Sequence, residues 1–275
     1  MPEPSLPVEL HELIIDVIGS ELEGHDKEDL QRCRGCLRAC ALVCKHWHIY
    51  TLPYNVGSLD LPITSRLSFP RKQQVGRLES LVQMMDTNPH IGRSVRSLVL
   101  TANLRFTKFD QALDKLSLHL DRVVSLRVIS HYNPRPFEYA PPPNPRPLFD
   151  NALSRVLRGP QLQHLTFTRC STFRTSSIAM STSLKSITFE HTSDALTDHA
   201  GDPYPLASLQ KLFLFHSNII LETMRLEPRF RALFSNVQHL DVTLDFTRPP
   251  QWQETCNWTN LLSLSLSSVL ECKYS

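Results

Sequence analysis

The chain has 275 residues, with 29 Lys and Arg against 27 Asp and Glu, a formal charge of +2. That balance, without a long run of one sign, argues against a strongly basic nucleic-acid surface, and no apolar run approaches the roughly 20 residues of a membrane span. Only 8 residues are glycine; none forms G-x-G-x-x-G, and Gly19 and Gly24, at Walker A spacing, precede His25-Asp26 rather than Lys-Ser/Thr, which argues against P-loop NTPases, glycine-rich-loop kinases and typical dinucleotide-binding folds.

The amino-terminal residues MPEPSLPVEL are acidic and lack the basic-then-apolar pattern of a signal peptide. A cytoplasmic or nuclear protein is expected, with its seven cysteines as thiols and the Asn257-Trp258-Thr259 sequon silent. Leu10, Ile14 and Ile18, with Leu13 and Val17 beside them, recur at helical spacing. They predict a first helix, capped by Ser5 with Pro7 in its first turn. A polar stretch over 21–29 interrupts it. Residues 30–47 read as a second helix with Leu37, Ala41, Cys44 and Trp47 on one side. Pro53, Gly57 and Pro62 mark its exit. The expected division is a helical domain over 1–50, a linker over 51–74 and a repetitive body over 75–275.

In the body one apolar position is followed by a second three residues on and a third two after that. The pattern occurs at Val95/Leu98/Leu100, Val123/Leu126/Val128, Leu162/Leu165/Phe167 and Leu184/Ile187/Phe189. It recurs at Leu209/Leu212/Leu214, Val237/Leu240/Val242 and Leu261/Leu264/Leu266. Most copies start at intervals in or near the roughly 20–29 residues of leucine-rich repeats. The ninth position, where the chain turns, is expected to hydrogen-bond; it holds Asn103, His131, Cys170, Thr192, Ser217, Asp245 and Val269, all but the last able to do so. Return helices are expected around Val75/Leu78/Val82/Met85, Phe109/Leu113/Leu116/Leu120 and Leu148/Ala152/Val156, and within 219–234. Seven prolines over 134–147 predict an extended loop. After the seventh triplet no capping unit is evident, so an exposed last strand or a truncated chain is expected.

Leu6-Pro7-Val8-Glu9-Leu10, Ile14-Ile15-Asp16-Val17-Ile18 and Leu37 through Leu42-Val43-Cys44-Lys45-His46-Trp47 resemble an F-box, in the style of the large fungal F-box sets. The family pattern is L-P-x-E-L, an apolar helix, then a helix ending in L-V-C-K/R-x-W. The likeness covers about residues 5–50 and departs from compact F-boxes in the longer 21–36 segment. It implies a non-catalytic substrate-recognition subunit of an SCF-type cullin–RING ubiquitin ligase. Its motif docks on a Skp-family adaptor, and through it on a cullin, while the rest of the chain recruits a target protein for degradation. By the same resemblance Leu6, Pro7, Leu10, Ile14, Ile18, Leu37, Val43 and Trp47 are the adaptor-binding residues. The alternative is a ligase-independent interaction scaffold with a degenerate F-box. The expected fold class is α/β: a helical F-box followed by an irregular leucine-rich-repeat solenoid.

Other constellations point to blander roles. Cys33, Cys36, Cys40 and Cys44 include a ligand-like C-x-x-C, but their spacing strings them along one helical face, and buried packing is the expected role over zinc. His11-Glu12 lacks the second histidine of a zincin, and no G-x-S-x-G exists. No catalytic residue, metal or cofactor is expected, nor a nucleic-acid or membrane partner. By strand alternation the residues flanking the buried positions point to the other face. Arg127, His164, Glu190, Lys211, Phe213, Phe215, His239 and Asp241 are the expected target-binding residues, with Phe213 and Phe215 as an aromatic anchor.

Overall fold

A computed structural model describes residues 7–20, 27–61, 71–101, 107–129, 147–170, 178–179, 181–192, 208–217, 220, 223, 232–245 and 260–269. Three helices lead: α1 (Val8–Ser20), α2 (Lys27–Ala41) and α3 (Lys45–Val56). Then follow β1 (Ser58–Leu61), α4 (Arg71–Thr87), α5 (Pro89–Ser94), β2 (Ser97–Thr101), α6 (Thr107–Ser117), β3 (Ser125–Ile129) and α7 (Pro147–Leu157). The remaining strands are β4 (His164–Thr168), β5 (Ser186–Glu190), β6 (Lys211–Phe215), β7 (His239–Asp245) and β8 (Ser263–Val269). Expectations that rest on Leu6, Asn103, His131, Asn257 or most of the proline-rich loop lie outside the described residues.

The eight strands form one sheet in chain order, and every neighbouring pair is parallel. This corrects the expected fold class. The described residues form an α/β fold on one all-parallel sheet, in place of a helical F-box followed by an irregular leucine-rich-repeat solenoid. The second and third positions of the seven triplets fall on the adjacent strands β2 to β8, paired residue by residue. Within the range expected as a linker lie the end of α3 and β1, which pairs Leu59 with Leu98 and Leu61 with Leu100.

The register has a repeated backbone cause. The carbonyl oxygen of the residue entering one strand accepts two consecutive N–H groups from the next. Gly57 O takes Arg96 N and Ser97 N at 2.7 and 2.8 Å, and Arg96 O takes Val124 N and Ser125 N. Val124, Gln163, Lys185, Gln210 and Gln238 do the same in turn. The strand-end turn is equally regular: Arg169, His191 and His216 each have positive φ, near 50°. Arg169 N donates to Glu190 O and His191 N to Phe215 O.

One face of the sheet is the core. Leu98, Leu126, Leu165, Ile187, Leu212 and Leu240 form one buried row, and Leu100, Val128, Phe167, Phe189, Leu214 and Val242 the next. Leu78, Val82 and Met85 of α4, Phe109, Leu113 and Leu116 of α6, and Ala152 and Val156 of α7 cover them. These are three of the four return helices that the apolar spacing predicts; the one expected within 219–234 lies mostly outside the described residues. Strands covered on both sides read as continuous apolar runs. Here buried apolar residues alternate with more exposed ones, mostly polar but including Ile129, Phe213 and Phe215, because the opposite face stays at least partly open. On β8, Leu264 and Leu266 remain 43% and 49% exposed.

The ninth-position expectation has a direct physical form at three sites. Ser217 Oγ donates to Phe189 O at 3.1 Å and Thr192 Oγ1 to Phe167 O at 3.5 Å. Cys170 Sγ donates to Val128 O at 3.6 Å. Each buried side chain reaches back to the preceding strand and satisfies a carbonyl there.

The amino-terminal helices pack around Ile15, Cys33, Leu37 and Leu52, all buried. Asp16 accepts hydrogen bonds from Tyr50 at 3.0 Å and Tyr54 at 2.5 Å, tying α1 to α3. The single helix expected over 30–47 is two. Leu42 N and Val43 N donate to Ala39 O and Cys40 O in a tightened last turn of α2. Cys44 is extended, with φ −160° and ψ 170°, before α3 begins. Of the four cysteines expected along one helical face, Cys33, Cys36 and Cys40 share α2 and Cys44 lies beyond its end; Cys33 is buried, Cys36 and Cys44 are exposed and Cys40 lies between.

Candidate functional site

Two surfaces carry the residues singled out by sequence. The first is on the amino-terminal helices. Ile15 and Gly19 turn one side of α1 inward, where a Cβ on Gly19 would fall 2.1 Å from the Tyr54 ring. The opposite side is apolar and faces solvent: Leu10 is 43% exposed, Leu13 57%, Ile14 43% and Val17 52%. Positions 10, 13, 14 and 17 form one stripe, one and two turns apart. Leu42 and Val43, at the turn between α2 and α3, are exposed as well.

Of the expected adaptor-binding residues, Pro7, Leu10, Ile14 and Val43 are exposed, and Ile18 is partly buried. Trp47 is partly buried too, its ring 4.7 Å from that of His11, edge-on. Leu37 is fully buried in the helical packing and presents nothing to a partner. Leu13, Val17 and Leu42 were not among the expected contacts; the 10/13/14/17 spacing is the signal that finds the first two.

The second surface is the sheet face away from α4, α6 and α7. All eight expected target-binding residues stand on it, in alternation with buried positions of β3 to β7. Arg127 and Glu190 form an ion pair across β4, Nη2 to Oε2 2.6 Å. Thr168 lies between them, accepting from Arg127 Nε at 3.1 Å and donating to Glu190 Oε2 at 2.8 Å. The rings of Phe213 and Phe215 stack with centroids 6.2 Å apart and planes 18° apart. His164 Nδ1 lies 2.8 Å from Ser186 Oγ. Burial, then Lys185 and Lys211, push the His164 imidazole below its usual pKa, favouring the neutral ring.

At the carboxyl end of the strands, His191 and His216 stack with ring centroids 4.7 Å apart and planes 4° apart. Burial, followed by the His216 and Arg169 charges, lowers the His191 pKa, against a smaller opposing effect of Glu190. Sequence reading passed over this stack, which depends on two left-handed turns in register. Among the described residues no group of three His, Cys, Asp or Glu side chains is placed to hold a metal ion, and no helix is long and apolar enough to cross a membrane. No protein-family model matches the chain, and no curated protein matches it at a significant level.

Proposed function

We propose that the protein is a substrate-recognition subunit of an SCF-type cullin–RING ubiquitin ligase. Its amino-terminal helices bind a Skp-family adaptor, and its open sheet face holds a target protein. The observation that carries this reading is the solvent-facing apolar stripe of α1, Leu10, Leu13, Ile14 and Val17, within the segment that resembles an F-box. Large apolar side chains left together in water mark an interaction site. The residues of the sheet face suit recognition rather than chemistry: an aromatic pair amid charged and hydroxyl side chains. Ubiquitin transfer belongs to the other subunits, and this chain raises the local concentration of a target lysine.

Co-precipitation of the full chain with the adaptor and cullin tests the reading. The pair Leu10→Glu and Ile14→Glu abolishes association while the far-ultraviolet dichroism and unfolding midpoint stay near those of the parent. Absence of association by the parent chain overturns the ligase reading and leaves a ligase-independent scaffold.

A further inference from the structure

On the open sheet face, the first outward position of each strand is in register with that of the next. Along β3 to β8 this row reads Ser125, His164, Ser186, Lys211, His239 and Ser263. It contains hydroxyls, imidazoles and one ammonium, and no carboxylate. Lys185 precedes Ser186 and is close enough to act on the His164 imidazole together with Lys211. Lys185, Lys211 and His239 are exposed, and none forms an ion pair among the described residues. Two carboxylates share this face: Glu190 is already held by Arg127, and Asp241, in register with Phe213, stands two residues along β7 from His239, outside the row itself.

Adjacent strands lie about 4.8 Å apart, so His164, Lys211 and His239 span a band about 14 Å wide, with Ser186 inside it. Phe213 is two residues along β6 from Lys211, about 7 Å farther on at roughly 3.3 Å per residue, and stacks with Phe215. Cationic and apolar groups thus sit side by side at the spacing of alternate residues in an extended peptide.

We infer that this row is the anion-reading part of the target site, and that its ligand is an acidic peptide segment with an aromatic or large apolar side chain within two residues of its carboxylates. The carboxylates lie among Lys211, His239, Lys185 and the Ser186 hydroxyl, and the apolar side chain lies against the Phe213–Phe215 pair. The inference rests on the sheet face being the target-binding surface, as proposed above. It does not require the adaptor.

The test is fluorescence anisotropy with the full chain and three labelled octapeptides, each carrying one central phenylalanine. One is glutamate-rich, one lysine-rich and one has phosphoserine in place of every glutamate. The expected result is binding of the glutamate-rich peptide that weakens as sodium chloride rises, because exposed charge pairs are screened, with no binding of the lysine-rich peptide. Lys211→Ala and Phe213→Ala each weaken the glutamate-rich peptide about tenfold, the size of one lost charged or aromatic contact, while Lys211→Arg retains binding. Unchanged unfolding midpoints show that these variants remain folded. Equal binding of the lysine-rich peptide, or indifference to Lys211→Ala, overturns the inference. So does binding confined to the phosphoserine peptide. Peptide capture by a chain that fails to associate with the adaptor upholds this inference and defeats the ligase reading; adaptor association without peptide capture does the reverse.

Discussion

Arg127 and Glu190 lie 63 residues apart in the chain and meet across an intervening strand, guanidinium to carboxylate, at 2.6 Å. Arg127 is about half exposed, so water and salt screen the pair. The bond sets the side-chain arrangement of the open face more than it stabilises the fold. Arg127→Met is expected to cost less than about 1 kcal/mol in urea unfolding. A loss several times larger would mean the pair is a structural strut.

Ser217 is different because it is buried. Its single hydroxyl hydrogen is shared between Phe189 O at 3.1 Å and Phe215 O at 3.0 Å, and its oxygen accepts from Thr192 N at 3.0 Å. Ser217→Ala leaves Phe189 O and Thr192 N without this partner, while Phe215 O keeps its bond from His191 N. The expected loss of unfolding free energy is about 1–3 kcal/mol. The isosteric Ser217→Cys, a weaker donor, is expected to fall between the two.

Gly19 is fixed by close approach rather than by backbone torsion. A methyl group there meets the Tyr54 ring at 2.1 Å. Gly19→Ala must displace either α1 or Tyr54, at a cost of about 1–3 kcal/mol. The double variant Gly19→Ala with Tyr54→Leu is expected to recover part of the loss, since it removes the ring's far edge. Thermal unfolding of the four proteins of that cycle measures the coupling.

Burial and the Asp16 carboxylate hold the Tyr54 hydroxyl protonated well above its ordinary pKa of 10.0. The folded state therefore keeps a proton that the unfolded chain releases near 10.0, and stability must fall as pH rises from there. The contribution is fully present below that pH. Tyr50 is raised in the same direction, first by burial and then by Asp16. Tyr54→Phe is expected to show a shallower loss of stability between pH 9.5 and 11 than the parent, measured by urea unfolding at each pH; parallel curves would refute the linkage.

The strands from β2 onward were legible because each triplet combines helix-incompatible spacing with buried apolar positions: Leu98, Leu126, Leu165, Ile187, Leu212 and Leu240 are all at most 4% exposed. β1 satisfies the same spacing at Val56, Leu59 and Leu61. It was hidden because Pro53, Gly57 and Pro62 read as the end of a helix, and because Val56 belongs to α3. The break at 42–44 carries no glycine or proline, so spacing alone joined two helices. The outward face followed from strand alternation, which placed all eight expected residues on one surface. Their contacts did not follow. Nothing local in sequence tells that Arg127 reaches Glu190, or that His191 stacks on His216. Those depend on strand order and register, which a single strand does not encode. Leu37 fits the apolar helical pattern whether it docks on a partner or packs inside; only the fold shows it at 0% exposure.

The paired N–H groups that close on one carbonyl at every strand entrance have a consequence for how such a chain tolerates change. Each strand takes its height from its predecessor, and nothing in that joint measures how much chain lies between them. Connections can lengthen or shorten, as the interval bearing the proline-rich segment already does, without sliding one row of outward side chains past the next. The binding face is thereby insulated from insertions: its residues can be altered one at a time, while length variation is absorbed behind it.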